Sequence, residues 1–278
     1  MQLELRKQIN YYLEFKDWYD KIIKDFNFDY EKDNEAKDIL SNIIKMKSYD
    51  WDNAGVLLAF CNLVREKKNI YVFGSGPSLE DTINHIINVK GITFFDRNIN
   101  LAADGASRYL KNKQIPIDGV FSDLDGITEN EFDYPSFMIV HAHGDNINKL
   151  RLFRAKIIKF NNLIGTTQVK PNNLLLNPGG FTDGDRILFF LRSLLSPTQK
   201  LFLIGMDFEN IVGKYSKPHF QGNIEGSSTK IKKLKYAFDL LKWISKKIEN
   251  EIILVNSKTK SNFFRNISLD RIQDYNFT

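Results

Sequence analysis

The chain has 278 residues, 42% of them hydrophobic and 26% charged, the balance of an ordinary soluble globular protein long enough to bury a substantial core. Its net charge of +5 is modest, and its lysines recur as solvated faces of amphipathic patterns, which argues against a nucleic-acid-binding stripe. The single cysteine, Cys61, excludes a disulfide framework and a cysteine-based zinc site; no run approaches the roughly 20 apolar residues of a membrane span, and a cytoplasmic protein without a signal peptide is expected.

Residues 1–66 read as helices. Phe15, Trp18, Ile22 and Phe26 recur at spacings of three and four, as do Ala36, Ile39/Leu40 and Ile43 behind Asp33-Asn34, which offers an N-cap. A third helix from near Asp52 to Arg65 carries Cys61 as a small buried hydrophobe. This segment is expected to be a helical cap beside a catalytic domain spanning 67–278.

From Ile70 the period changes. Strands are expected at Ile70-Phe73, Ile92-Phe95, Asn100-Ala103, Gly119-Ser122, Phe137-His141, Ile157-Phe160, Leu174-Leu176, Leu201-Ile204 and Ile252-Val255. Helices are expected at Leu79-Val89, Ala106-Lys111, Asn146-Phe153, Asp185-Leu195 and Thr229-Lys247. Continuous apolar strands alternating with helices predict an α/β fold with a mostly parallel open sheet. The stretch from Asp207 to Ser228 is the longest loop, a length that is usually functional or mobile.

Five loops after these strands combine glycine with polar or acidic residues, and such loops gather on the ligand-binding edge of an open sheet. Gly74-Ser75-Gly76-Pro77-Ser78 opens a helix and could present amides to phosphate, or could be a tight turn with Ser78 and Asp81 as a capping box. It lacks the Lys-Ser/Thr of a Walker A loop. Asp104 follows one strand. Asp123 and Asp125 follow the next as Asp-x-Asp, where two carboxylates 4 Å apart would repel by about 4 kcal/mol at an effective dielectric of 20. Mg²⁺ shared with substrate phosphates would relieve that repulsion. The aspartyl-phosphate motif of haloacid dehalogenases is a weaker match, since Ile127 replaces its threonine and several strands come earlier.

His141, His143, Asp145 and Asn146 are candidate substrate ligands, with zinc ligation by His-x-His as an alternative. In Gly180-Phe181-Thr182-Asp183-Gly184-Asp185-Arg186, Thr182 and Asp185 suit a capping box, which leaves Asp183 and Arg186 for metal and phosphate. Asp207 is a further strand-end carboxylate, and Lys214 and Lys217 could cover phosphates. The metal candidates are therefore Asp104, Asp123, Asp125, Asp183 and Asp185. Asp123, Asp125, Asp183 and Arg186 are the catalytic candidates. Gly74, Ser75, Gly76, Pro77, Ser78, Thr182 and Lys214 are expected to hold the nucleotide, with Asp207 among the substrate ligands.

Together these strings, with Ala102-Ala106, Ile164-Gln168 and Gly205-Phe208, resemble the archaeal 6-hydroxymethyl-7,8-dihydropterin pyrophosphokinase family from residue 70 to 217. Ser122 stands where that family more often has threonine. The Gly-x-Gly-Pro-Ser-Leu turn is shared with sialyltransferase-like and motility-associated glycosyltransferases; His-Ala-His-Gly-Asp-Asn and Gly-Phe-Thr-Asp-Gly-Asp-Arg are more specific. The resemblance implies diphosphate transfer from ATP to the hydroxymethyl group of a reduced pterin, giving AMP. It also implies Mg²⁺ dependence, a thiamin pyrophosphokinase-like catalytic layer and a place in folate or tetrahydromethanopterin synthesis. Asp123 or Asp183 could accept the hydroxyl proton. The partners expected are small molecules, not nucleic acid or membrane, and a homo-oligomer is left open. A nucleotide-sugar glycosyltransferase, a thiamin pyrophosphokinase and a nucleotide-binding protein without catalysis are the alternatives.

Overall fold

Four helices open the chain in this computed structural model, which describes residues 2–277: α1 (Gln2–Ile9), α2 (Tyr12–Phe26), α3 (Tyr30–Ile44) and α4 (Asn53–Glu66). As the spacing predicts, Phe15 and Ile22 of α2 are buried, and α4 starts behind Asp52, whose carboxylate accepts the Ala54 amide at 2.9 Å. The start of α3 differs. Its N-cap is Asp29, which accepts the Glu31 and Lys32 amides, while Asp33 lies one turn inside the helix and is buried.

The chain then runs through β1 (Asn69–Phe73), α5 (Leu79–Lys90), β2 (Ile99–Ala103), α6 (Ala106–Asn112), β3 (Gly119–Ser122), α7 (Glu129–Phe132) and β4 (Phe137–Ala142). It continues with α8 (Ile147–Leu152), α9 (Arg154–Lys159), β5 (Leu163–Thr167), β6 (Leu175–Leu176), α10 (Asp183–Leu191) and β7 (Lys200–Ile204). The short antiparallel pair β8 (Ile211–Val212) and β9 (Ile224–Glu225) precedes α11 (Ser228–Ile244), β10 (Ile252–Val255), β11 (Arg265–Ile267) and α12 (Leu269–Ile272).

The main sheet has the order β11-β10-β7-β1-β2-β3-β4-β5-β6, and every pairing in it is parallel. The chain works outward from β1 to β6 and then returns to the other side of β1. The order therefore reverses between β1 and β7, and the crevice at their carboxyl ends is where open α/β sheets receive ligands. Ile70 and Val72 of β1 belong to the core layer that holds residues of α2, α4, α10 and α11, whereas Tyr71 and Phe73 belong to the opposite layer with α3, α5, α6, α8 and α9. Both faces are covered, so the strand reads as an unbroken apolar run. The N-terminal helices contribute to both layers. Among the described residues, no helix is long and apolar enough to cross a membrane.

Two expected strands are helical. Ile92–Arg97 forms a 3₁₀ turn in which the side chains of Asn98 and Asn100 take the carbonyls of Phe94 and Phe95, groups that a strand would offer to its neighbour. The apolar run Ile157-Phe160 lies in and just after α9, where the buried Lys47 ammonium collects the carbonyls of Ile157, Ile158 and Phe160 at 2.7, 3.0 and 2.7 Å. The strand at this place is β5, three residues further on, and the edge strand β11 was also not expected.

Cys61 is buried in α4, and burial pushes its thiol up to about 11. In native protein at pH 8 a thiol reagent should label it no faster than the chain opens. Cys61→Ala should cost about 1 kcal/mol in a urea titration without changing turnover per folded molecule.

Candidate active site

The glycine turn after β1 lies against the turn after β7. The Gly74 and Gly76 amides donate to the carbonyls of Ile204 and Gly205, both at 2.8 Å. A Cβ at Gly74 would meet the Gly205 oxygen at 2.6 Å, so this crossing has no room for a side chain. Asp207 closes the junction. Its Oδ2 accepts the Ser78 amide and hydroxyl at 2.8 and 2.7 Å, and its Oδ1 accepts the Lys258 amide at 2.6 Å and the Ser257 hydroxyl at 3.2 Å. Two expectations change here. Ser78 makes no capping bond to its own helix, because its hydroxyl is taken by Asp207. The amides of Gly74, Gly76 and Ser78 are bonded within the protein rather than offered to phosphate. Gly74, Ser75 and Gly76 still line the cavity, whereas Pro77 and the buried Ser78 do not. Asp207 borders it with its carboxylate already occupied.

The acidic centre is built from the ends of β2 and β3. Asp104, Asp123 and Asp125 each offer an oxygen within 4.8 Å of the others, a hard-oxygen set that fits a divalent cation. Asp104 sits at φ +45°, and its Oδ1 accepts the Ser122 hydroxyl at 2.6 Å. The Ser122 hydroxyl oxygen also accepts the Leu124 amide at 2.7 Å. Leu124 adopts φ +71° with its side chain in the core, which leaves Asp123 and Asp125 on the outer side of the turn. A Cβ at Gly126 would come within 1.9 Å of an Asp104 oxygen.

Burial, then the charges of Asp123 and Asp125, push Asp104 up to about 8. Burial would raise Asp123 as well, but the hydrogen bond from His143 and the cations Lys217 and Arg186 hold it well below the usual carboxylate range. His143 Nδ1 accepts the Asp145 amide at 3.3 Å, so its Nε2–H faces Asp123 Oδ2 at 3.2 Å. Lys217 pairs with Asp125.

Asp183 and Arg186 enter from the first turns of α10. The Thr182–Asp185 capping box is present, and Asp185 accepts the Phe181 amide and the Thr182 amide and hydroxyl. Asp185 is fully buried in that role, with both oxygens taken by the cap, and it is not part of the carboxylate trio, against the expectation that it ligates metal. Thr182 borders the cavity, but its hydroxyl belongs to the same cap. Asp183 Oδ1 lies 3.5 Å from Arg186 without a hydrogen bond. Burial and the charges of Asp123 and Asp104 raise the Asp183 carboxyl well above its ordinary value.

The remaining candidates are divided. His141 is buried behind the site: its Nδ1 meets the Thr166 hydroxyl at 3.1 Å, and burial with Arg186 nearby keeps the ring neutral. Asn146 clamps the carbonyls of Asp123 and His141, and Asp145 is exposed and contributes its amide. No histidine–carboxylate zinc cluster is found among the described residues. Lys214 pairs with Glu80 at 2.5 Å and is absent from the cavity lining, whereas Lys217 lines it.

The cavity holds about 360 Å³. Its lining includes residues that the sequence did not mark as site candidates, namely Phe28, Gln168, Lys230 and Lys233. The signal for the lysines was available: Lys230, Lys233, Leu234 and Ala237 follow one helical stripe and all face the cavity. Burial and the neighbouring Lys217 and Lys233 lower the Lys230 ammonium.

A family model described as 6-hydroxymethylpterin diphosphokinase MptE-like matches residues 38–213. Three curated relatives carry the name 6-hydroxymethyl-7,8-dihydropterin pyrophosphokinase. The protein from Pyrococcus furiosus is 36% identical over 86% of this chain and 96% of its own length. That from Methanocaldococcus jannaschii is 37% identical over 87% and 100%, and that from Methanothermobacter thermautotrophicus 32% over 82% and 93%. Among solved structures, a Maf glycosyltransferase from Magnetospirillum magneticum AMB-1 matches at 16% identity and a TM-score of 0.45, covering 74% of this chain and 34% of that one.

Asp104 and Asp207 should respond oppositely to neutralisation. Asp207→Asn should destabilise the protein by about 2 kcal/mol, because it disturbs a carboxylate with four donors. Asp104 has its folded value raised to about 8, so the folded state holds more protons than the unfolded one between the ordinary carboxylate range and that pH. Metal-free protein should therefore lose stability as pH rises through this window. Asp104→Asn should flatten that slope and weaken the gain in melting temperature on adding a divalent cation, both read in thermal melts across pH.

Proposed function

The chain belongs to the MptE-like family of 6-hydroxymethylpterin diphosphokinases, and we propose that it transfers diphosphate from ATP to the hydroxymethyl group of 6-hydroxymethyl-7,8-dihydropterin. The products are the pterin diphosphate and AMP, for a coenzyme of the folate or tetrahydromethanopterin type, in a soluble cytoplasmic enzyme. The observation that carries this reading is one cavity at the strand-order reversal lined by the trio Asp104, Asp123 and Asp125 together with Asp183, Arg186 and the lysines Lys217, Lys230 and Lys233.

The hydroxymethyl oxygen forms a bond to the β-phosphorus, and the bond from that phosphorus to the α,β-bridging oxygen breaks, leaving AMP. Charge on the transferred group grows at oxygens that fixed cations can meet. Arg186 suits this work because a guanidinium can bind two phosphate oxygens at once. Lys217, Lys230 and Lys233 face the same space. Asp104, Asp123 and Asp125 would hold Mg²⁺, which when bound neutralises polyphosphate oxygens. Asp123, one of that trio, and Asp183 are the candidate acceptors for the hydroxyl proton. Asp123 is tied to His143, whereas Asp183 keeps one oxygen that accepts no hydrogen bond and lies 3.5 Å from Arg186, and we assign the base role to Asp183.

Incubation with ATP, the reduced pterin and Mg²⁺ should give AMP and pterin diphosphate in equal amounts. A nucleotide-sugar glycosyltransferase would release no AMP, and a thiamin pyrophosphokinase would do so only with thiamin. Asp123→Asn and Asp125→Asn should each lower turnover by about a hundredfold or more in folded protein; near-native rates at saturating Mg²⁺ in both would overturn the metal assignment. Arg186→Lys should raise the KM for ATP, and Arg186→Ala should raise it further, with the KM for the pterin changing less.

A further inference from the structure

Arg186 depends on a chain of side chains that begins in the N-terminal helices. Its terminal nitrogen donates to Gln168 Oε1 at 3.1 Å, and Gln168 Nε2 donates to Asp33 Oδ2 at 2.7 Å. Asp33 is buried within α3. The same Oδ2 accepts the Tyr19 hydroxyl of α2 at 2.6 Å, and Oδ1 accepts the Gly144 amide at 2.7 Å.

We infer that Gln168 and Asp33 are positioning residues that aim Arg186 at phosphate through a neutral hydrogen-bond acceptor, a role that rests on Arg186 being the phosphate clamp. An ionised carboxylate can only accept hydrogen bonds, so Asp33 requires the NH₂ of the Gln168 amide on its side. The carbonyl of that amide must then face Arg186. The guanidinium is held by a neutral acceptor, which fixes its plane without the full negative charge that would compete with an incoming phosphate. The nearest acid, Asp183, stays at 3.5 Å without a hydrogen bond. Asp33 reaches the other side of the site as well. Through the Gly144 amide it anchors the loop carrying His143, the donor to Asp123. The helical segment thereby supports both the cationic and the acidic side of the cavity.

Gln168→Met keeps length and removes both hydrogen bonds; Gln168→Glu keeps an acceptor for Arg186 but makes it anionic and sets it against Asp33. The first should raise the KM for ATP about tenfold, the order expected for a lost hydrogen bond to a charged group, with the pterin KM nearly unchanged. The second should be worse still for ATP, although a purely structural contact would be rescued by the retained acceptor. Calorimetry with a non-hydrolysable ATP analogue should show the same ranking. Asp33→Asn should weaken ATP binding in the native background and add little in Gln168→Met, since its effect on Arg186 passes through Gln168. If Asp33→Asn does not fold, Tyr19→Phe takes its place in the cycle. Native ATP binding in Gln168→Met alongside a weakened Arg186→Ala would overturn the positioning role and leave the clamp standing. Unchanged ATP dependence in Arg186→Ala would remove both. Full additivity of Asp33→Asn with Gln168→Met would remove Asp33 from the chain.

Discussion

Mutual repulsion among the carboxylates at the ends of β2 and β3 sets the terms for the rest of this site. Asp104, Asp123 and Asp125 reach within 4.8 Å of one another. At an effective dielectric of 20, two ionised carboxylates about 4 Å apart repel by about 4 kcal/mol. The surrounding structure meets that with donors and cations brought from distant parts of the chain: His143 after β4, Arg186 on α10, and Lys217 beyond β8. It also holds the acids on backbone that cannot relax easily. Asp104 and Leu124 both sit at positive φ, a conformation of order 1–3 kcal/mol above the common regions for such residues. Leu124 is fully buried, and that burial helps to hold the strained turn in place.

Carboxylates in this fold divide into those whose lone pairs are filled and those left open. Asp207, Asp185 and Asp33 each accept at least three donors and work as architecture. Asp207 fastens the glycine turn across the β1–β7 junction, Asp185 starts α10, and Asp33 locks two loops onto α3. Asp104, Asp125 and Asp183 have fewer protein donors, and all three face the cavity. Donor count separates these groups where sequence position does not, since Asp183 and Asp185 stand two residues apart in the same string.

Much of the layout was legible in the sequence because it follows from local periodicity and turn chemistry. Unbroken apolar runs flagged parallel strands, and glycine–aspartate loops marked their carboxyl ends. The errors have physical causes. Ile157-Phe160 has the composition of a strand, yet its carbonyls are satisfied by Lys47, more than a hundred residues earlier, which no local pattern reveals. Asp33-Asn34 reads as a cap, but the nearer Asp29 fills that role and frees Asp33 for tertiary bonds. In the site, Asp104, Asp123, Asp125, Asp183 and Arg186 do converge. Gln168 stood only inside a matching string, without a role, because an isolated amide carries no signal until its two partners are known; Lys230 and Lys233 were missed because an amphipathic helix normally points such lysines to solvent.

Those lysines give the cavity a second electrostatic problem, the mirror of the first. Lys217, Lys230 and Lys233 share a wall, and the Lys230 ammonium is disfavoured by burial and by both neighbours. The acidic trio is crowded in the same way, as the upward displacement of Asp104 records. Lys217 bridges the two sets through Asp125, but one ammonium cannot relieve repulsion within both groups. A purely anionic ligand would quiet the lysines and aggravate the acids; a bare cation would do the reverse. A polyphosphate carrying a divalent cation would present each sign to the wall that lacks it, on a cavity that also exposes Arg186, whose hydrogen-bonded partner is neutral. Ligand class is thus constrained by the joint arrangement of acids and bases around one cavity more tightly than by either group alone.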